Sequence, residues 1–271
     1  MIALRKNKSD LIAAQRVARK KCPDIFTEVR TKPISQNDIV CAQQTFNEEA
    51  LYQAIEAYAA EWHRKSRRPA KVLEMCSSTG LCALRVSTTI PVEKLTLVDI
   101  EPAALAAAET IQSKAKTVIA DAVIFRDDTI YDLILLNSAY HHIPQRRKAP
   151  FMKNVRRHLA IGGLVLVGDH FLPPYGNKPE FQEAVVNFYT ALIADLLKQG
   201  SEPRAIEIIR QAAFDCWRGI TEYKVSWPVF AGHFATAGLQ EVFHRVVWAP
   251  PMRHNLPCPV GSVAVSLKGV N

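Results

Sequence analysis

Residues 71–80, Lys71-Val-Leu-Glu-Met-Cys-Ser-Ser-Thr-Gly80, run from an apolar stretch into small polar residues and a glycine, the pattern of a buried strand turning into a helix. The alternation continues downstream. Leu95-Thr-Leu-Val-Asp99 reads as a second strand, and residues 102–113 as a helix with Pro102 in its first turn. Residues 117–120 form a strand that ends at Asp121, and Tyr131-Asp-Leu-Ile-Leu-Leu-Asn137 another. Helix 148–159 and strand Gly163-Leu-Val-Leu-Val-Gly-Asp169 close this half. Strands that alternate with helices imply a parallel sheet covered on both faces. Helix 228–237 and strands Gln240–Trp248 and Ser262–Leu267 then complete an α/β fold: a seven-stranded, mostly parallel, doubly wound sheet.

Two regions break the alternation. Residues 9–22 read as an amphipathic helix capped by Ser9 or Asp10 and stopped by Pro23. In residues 47–65 Asn47 is the expected cap, Glu48 and Glu49 suit the positive helix start, and Leu51, Ile55, Tyr58 and Trp62 share a face. Residues 1–66 are thus expected to be an N-terminal helical cap and residues 67–271 the α/β domain. Within the latter, residues 176–224 carry Phe181, Val185, Phe188, Leu192 and Leu196 at helical spacing, with a further helix over 205–218. This insertion after the fifth strand reads as a helical lid.

Composition excludes several classes. The 271 residues are 48% hydrophobic and 22% charged, as in an ordinary folded protein. No apolar run approaches the ~20 residues of a membrane helix, and the basic N-terminus lacks the apolar core of a secretory signal, so a cytoplasmic location and no membrane partner are expected. Six scattered cysteines (Cys22, Cys41, Cys76, Cys82, Cys216 and Cys258) form no C-x-x-C pair, which argues against structural zinc or a disulfide framework; no metal is expected. The net charge of +8 raises the question of nucleic acid. Its clusters, Arg64-Lys65-Ser66-Arg67-Arg68 and Arg146-Arg147-Lys148, lack the interleaved aromatics of a single-strand platform. Solvated helix faces that attract small anions fit better, and a small-molecule partner is expected. A homodimer is compatible with this surface.

In open parallel sheets ligands bind beyond the carboxyl ends of the strands, near the switch in strand order. Glu74, Asp99 and Asp121 stand at such ends. An acid after the second strand is placed to accept both hydroxyls of a ribose, and the Gly80 turn lets backbone N–H groups approach a ligand closely. The dehydrogenase fingerprint G-x-G-x-x-G is absent.

At these positions the chain resembles the class I SAM-dependent (S-adenosylmethionine-dependent) methyltransferases of small-molecule type. Val72-Leu-Glu-Met-Cys-Ser-Ser-Thr-Gly80 aligns with that family's glycine-rich first motif, Leu97-Val-Asp-Ile-Glu-Pro102 with its second, Ala120-Asp-Ala122 with its third and Tyr131 to His142 with its fourth. Ile161-Gly-Gly-Leu-Val-Leu is similar to the approach to its fifth strand. The resemblance covers residues 70–170 well, the last two strands loosely, and residues 1–64 and 176–224 not at all. It implies SAM as cofactor. Asp99, with Ile100 beside it, would hold the ribose; Asp121 and Ala122 would flank the adenine, the Asp121 side chain facing the amine; Glu74 would orient the loop or the amino-acid end; Asn137 would face the methyl group. The departure is in the first motif, where Cys76 and Ser78 replace two glycines and only Gly80 stands. If either position requires a positive φ, a residue with a side chain costs about 1–2 kcal/mol.

Catalytic candidates follow from the fourth motif and the fifth strand. Amine-directed relatives carry Asn-Pro-Pro-Tyr where this chain has Asn137-Ser-Ala-Tyr140, and Asn137 and Tyr140 are retained. His141-His142 fits the pattern of many small-molecule members. His141, His170 and Tyr175 are further candidates for acid, base or substrate contact. The implied function is methyl transfer to a small amine- or hydroxyl-bearing metabolite, of the kind met in secondary metabolism. Two alternatives stand beside it. In one, an amine attacks the aminocarboxypropyl carbon of SAM, intramolecularly or from a second molecule, and methylthioadenosine is released. The other is a nucleic-acid methyltransferase.

Overall fold

The structure, a computed structural model, describes residues 45–251 and 258–270. The helix expected over residues 9–22, with Cys22 and Cys41, lies outside the described residues. Helix α1 (Phe46–Ser66) leads into β1 (Ala70–Met75), α2 (Leu81–Thr89), β2 (Val92–Asp99), α3 (Pro102–Ile111), β3 (Lys116–Ile119) and β4 (Tyr131–Asn137). Then come α4 (Lys148–His158), β5 (Leu159–Phe171), α5 (Lys178–Lys198), α6 (Pro203–Arg218), α7 (Trp227–Thr236), β6 (Leu239–Trp248) and β7 (Gly261–Gly269). The sheet order is β3-β2-β1-β4-β5-β7-β6. β1 to β5 pair in parallel, and β7 runs antiparallel between β5 and β6. The expected α/β fold, seven-stranded and mostly parallel, is therefore present. Strand order reverses between β1 and β4, so their carboxyl ends flank the crevice where such sheets hold ligands.

β4 is buried along its whole length and β1 nearly so. Helices cover both sheet faces, which is why these strands read as continuous apolar runs rather than alternating ones. On one face Leu73, Met75, Ile134, Leu136, Val165 and Val263 meet Phe151 and Val155 of α4 and Phe230 and Phe234 of α7. On the other, Val72, Leu97, Leu133, Leu135 and Leu166 meet Ala83 and Val86 of α2, Leu105 and Ala108 of α3, and Ile55 and Ala59 of α1. The helical insertion expected after the fifth strand is present as the hairpin α5–α6. Val185, Phe188, Leu192 and Leu196 close on Ala213, Cys216, Leu172 and Trp248, and the Trp248 indole N–H donates to Asp195 at 2.9 Å.

One feature of α1 corrects the sequence reading. Its N-cap is Thr45, without a side-chain cap bond; Asn47 lies inside the first turn and donates to Ser262 of β7 at 3.4 Å. The described part of the expected cap is also part of the sheet's own core, with Leu51 and Ile55 fully buried. Arg85 of α2 clamps Glu49 and Glu56 of α1. Arg68 grips the buried Asp132 of β4 with two bonds of 2.9 and 2.5 Å, a charge-assisted pair that anchors the α1–β1 link. A truncated core aliphatic leaves a cavity as well as losing transfer energy. Ile55→Ala is therefore expected to destabilise the fold by about 2–5 kcal/mol, read as a lower urea midpoint. A change below about 1 kcal/mol would mean that α1 is a detachable cap.

Candidate active site

The first motif adopts the backbone its missing glycines would have favoured. Cys76, Ser78 and Gly80 have φ of 56°, 48° and 71°. Three backbone bonds hold the turn: Ser77 N to Val98 O at 3.1 Å and Gly80 N to Ser77 O at 2.8 Å, and Ser78 N to the Asp99 carboxylate at 2.7 Å. At Gly80 a Cβ would lie 2.9 Å from the ends of the Gln112 and Leu97 side chains, which would have to move aside, and Gln112 donates to its carbonyl at 2.7 Å. Glu74 is buried under the turn and accepts from Ala83 N in the first turn of α2 at 3.1 Å. Burial pushes its carboxyl up to about 8, and the nearby Asp99 adds to the rise.

The nucleotide candidates lie along the same strand ends. Asp99 accepts from Ser78 N on one oxygen and from Glu101 N on the other, at 2.7 and 2.9 Å. Beside it Ile100 is 71% exposed, an apolar surface at the crevice mouth. Ala122 is buried. Asp121 accepts from Val123 N at 2.9 Å and pairs with Arg147 at 2.6 Å. The carboxylate expected to face an adenine amine is thus held by an arginine from the turn before α4.

At the ends of β4 and β5 lies a buried polar cluster whose centre, Glu48, the sequence reading missed as a site residue. One Glu48 oxygen meets His170 Nε2 at 2.9 Å. The Ser138 hydroxyl reaches both oxygens, at 2.9 and 2.8 Å, and the Asn137 amide donates at 3.4 Å. His170 Nδ1 meets the Ser262 hydroxyl at 2.9 Å, and Phe188 of the lid packs against the His170 ring. Burial alone would raise the Glu48 carboxyl; His170 and Ser138 outweigh it and hold it below its ordinary value. Gly168 gives this corner room, because a Cβ there would sit 2.4 Å from the Asn137 side-chain oxygen. A signal for Glu48 was available. It stands three and seven residues before Leu51 and Ile55, on the buried face of α1 rather than its solvent side.

The remaining candidates separate. His141 is buried, with Nδ1 on Asp169 at 2.7 Å, and burial holds its imidazole down at about 4. Asp169 is buried too; burial would raise its carboxyl, but His141, His170 and Lys224 keep it far below the carboxylate range. Tyr140 serves packing: its ring lies against Phe230 and its hydroxyl meets His233 at 2.5 Å. Its ring is buried in the core beside the polar cluster. Tyr175 is half-buried, edge-on to Phe181 at the start of the lid.

Residues 73–165 match the model of a family described as a methyltransferase domain. Over these residues the chain is similar to a methyltransferase domain. Among solved structures it is similar to the plantazolicin methyltransferase BpumL in complex with a monoazolic desmethylPZN analogue and S-adenosylhomocysteine (12% identity, 99% of this chain and 100% of that one, TM-score 0.59). A SAM-dependent methyltransferase from Clostridium acetobutylicum is similar at 11% identity, over 81% of this chain and 92% of that one, with a TM-score of 0.54. So is the 1,6-didemethyltoxoflavin-N1-methyltransferase of Burkholderia thailandensis, at 13% identity, over 90% and 93%, with a TM-score of 0.53. At these identities the likeness is one of fold. No curated protein sequence matches the chain. Among the described residues no helix is long and apolar enough to cross a membrane.

Two outcomes follow from the first motif. Ser78→Gly removes a side chain from the left-handed region at the expense of unfolded-chain entropy, so it is expected to leave stability unchanged or raise it by up to about 1 kcal/mol in urea unfolding. A loss of more than about 1 kcal/mol would show that the serine side chain holds the turn. Glu74 keeps its proton to about pH 8 in the folded chain but only to its ordinary value of 4.5 when unfolded. Between those values the folded state binds the extra proton, so stability falls as pH rises through that window. The melting temperature of wild type should drop between pH 5 and pH 8 more steeply than that of Glu74→Gln; parallel curves would refute a buried, protonated Glu74.

Proposed function

We propose that this chain transfers the methyl group of SAM to a small amine- or hydroxyl-bearing molecule, held between the turn after β1, helix α1 and the lid. One observation carries the reading. Among the described residues, Ser77 Oγ, Asn47 Oδ1, Asn137 Oδ1, Gln182 Oε1 and Tyr189 Oη are buried without a hydrogen-bond partner. Orphaned polar atoms are rare in folded proteins, and each costs about 1–3 kcal/mol. Here they fall on the first-motif turn, the start of α1, the end of β4 and the lid helix α5, the elements around the crevice. A polar ligand is the economical explanation for such a distribution.

The residues suit SAM. The left-handed turn at Cys76–Gly80 keeps Cβ atoms off the path of the ligand, Asp99 offers its remaining lone pairs to the ribose, and Ile100 and Ala122 offer apolar contact to the adenine. Asp121 would share its carboxylate between Arg147 and the adenine amine. Bound there, SAM supplies an electrophilic methyl carbon whose bonding pair returns to sulfur as the nucleophile attacks. The protein's own part is positioning, worth up to ~7–11 kcal/mol when geometry is good. Glu48, held ionised by His170 and Ser138, accepts the hydrogen bond of the incoming N–H or O–H, orients the nucleophile's lone pair and takes up the released proton on its carboxylate. Phe188, packed against His170, excludes water from the pair. Tyr175 stands at the lid's entrance.

Calorimetry with SAM, then incubation with SAM and a panel of small amines and alcohols, tests this reading. The expected result is SAM binding and acceptor-dependent release of S-adenosylhomocysteine. Glu48→Gln and His170→Asn should lower kcat by about 10²–10⁴-fold while SAM affinity changes little. No SAM binding would sink the proposal. Methylthioadenosine released from SAM alone would replace methyl transfer with attack on the aminocarboxypropyl carbon. Turnover only on RNA or DNA, lost steeply with salt, would move it to the nucleic-acid class.

A further inference from the structure

We propose that His141, His142 and Glu222 bind one divalent transition-metal ion, which clips the turn after β4 to the segment returning from the lid. Their side chains present one ligand atom each, all within 4.8 Å of one another. His141 Nε2 lies 3.6 Å from one Glu222 oxygen, and His142 Nδ1 lies 3.5 Å from the other. These distances exceed the normal N–H···O range of about 2.7–3.2 Å. Each is close to the ~3.0–3.6 Å that separates adjacent ligands on one ion with bonds of about 2.0–2.2 Å; since the two histidines face different oxygens, the carboxylate would take the ion with both.

The surroundings have the form of a metal site. A ligating histidine ordinarily gives its other ring nitrogen to a carboxylate, which fixes ring and tautomer. His141 does this with Asp169 at 2.7 Å, and Asp169 is itself buried and held by His141 N at 3.2 Å and His170 N at 2.6 Å. The second anchor is equally fixed: Tyr223 N donates to His141 O at 2.7 Å, tying the residue after Glu222 to the first ligand. Leu172 N donates to Val225 O at 3.0 Å. Lys224 donates at 2.7 Å to Glu222 Oε2, the oxygen that faces His141; a carboxylate has about four lone-pair sites, so Oε2 keeps a second lone pair and Oε1, facing His142, stays open to an ion. His142 is half exposed and opens the site to solvent. Two imidazoles and one carboxylate, with no thiolate, suit zinc or another late first-row ion and leave a coordination position for water or a substrate heteroatom.

The site does not depend on the methyl-transfer reading and is tested without turnover. Untagged full-length chain, stripped with chelator, is titrated with Co²⁺ by visible absorption and with Zn²⁺ by calorimetry. One ion per chain is expected, with zinc raising the melting temperature as ligand linkage requires. His142→Ala removes a half-exposed ligand without touching the core. It should weaken binding by at least about tenfold and abolish the thermal shift, and Glu222→Gln should do the same. His244→Ala, at the exposed His244–Glu241 pair, should leave binding unchanged. The proposal is overturned if wild type takes up no ion, if His142→Ala binds as tightly as wild type, or if His244→Ala removes the binding.

Discussion

Glu48 is the constraint on which the functional end of the molecule is organised. A carboxylate can be buried only if charge and hydrogen bonds replace water. Its partners come from elements distant in sequence: Ser138 and Asn137 at the end of β4, and His170 at the end of β5. Through His170 the same network reaches Ser262 of β7 and Phe188 of the lid. One residue therefore joins α1 to the ends of β4 and β5 and, through His170, to β7 and the lid. The apolar face of α1 supplies the docking energy, while Glu48 supplies its register.

The turn after β1 is the opposite case, a place where side chains work against the backbone. Cys76 and Ser78 both hold positive φ, a conformation in which any residue but glycine is strained. Such strain persists only when surrounding structure over-determines it, and here the bond from Ser78 N to Asp99, the packing of Gly80 on Leu97 and Gln112, and the buried Glu74 below do so. The turn also joins the ends of β1 and β2 through Asp99, so the group proposed for the ribose shapes the loop proposed for the rest of the cofactor.

A second buried charge system runs beside the first. Asp169 holds the His141 ring and the His170 backbone N–H, so the two corners share one carboxylate while facing different elements, α1 on one side and the lid's return segment on the other. The lid is thereby tied to the sheet by polar contacts as well as by the apolar packing of Leu192, Leu196 and Trp248. A catalytic pair and a metal clip in this arrangement would sense the same lid position.

Periodicity and turn residues were enough to read the alternating βα core, the strand ends on which Glu74, Asp99 and Asp121 stand, and the helical hairpin after β5, because each is a local pattern whose period or punctuation follows from backbone geometry. Even the left-handed turn was legible, from two residues standing where glycines were expected. The first turn of α1 was misread because Asn47 and Glu48 look like helix-start chemistry when taken alone. The Glu48–His170 pair, Asp121 on Arg147 and the approach of Glu222 to His141 and His142 join residues separated by tens to more than a hundred positions. The sequence by itself determined the sheet, its helices and the ends at which ligands gather. Only the tertiary structure decided which polar groups meet there, because the pairing of buried charges is settled by packing between elements and leaves no period along the chain.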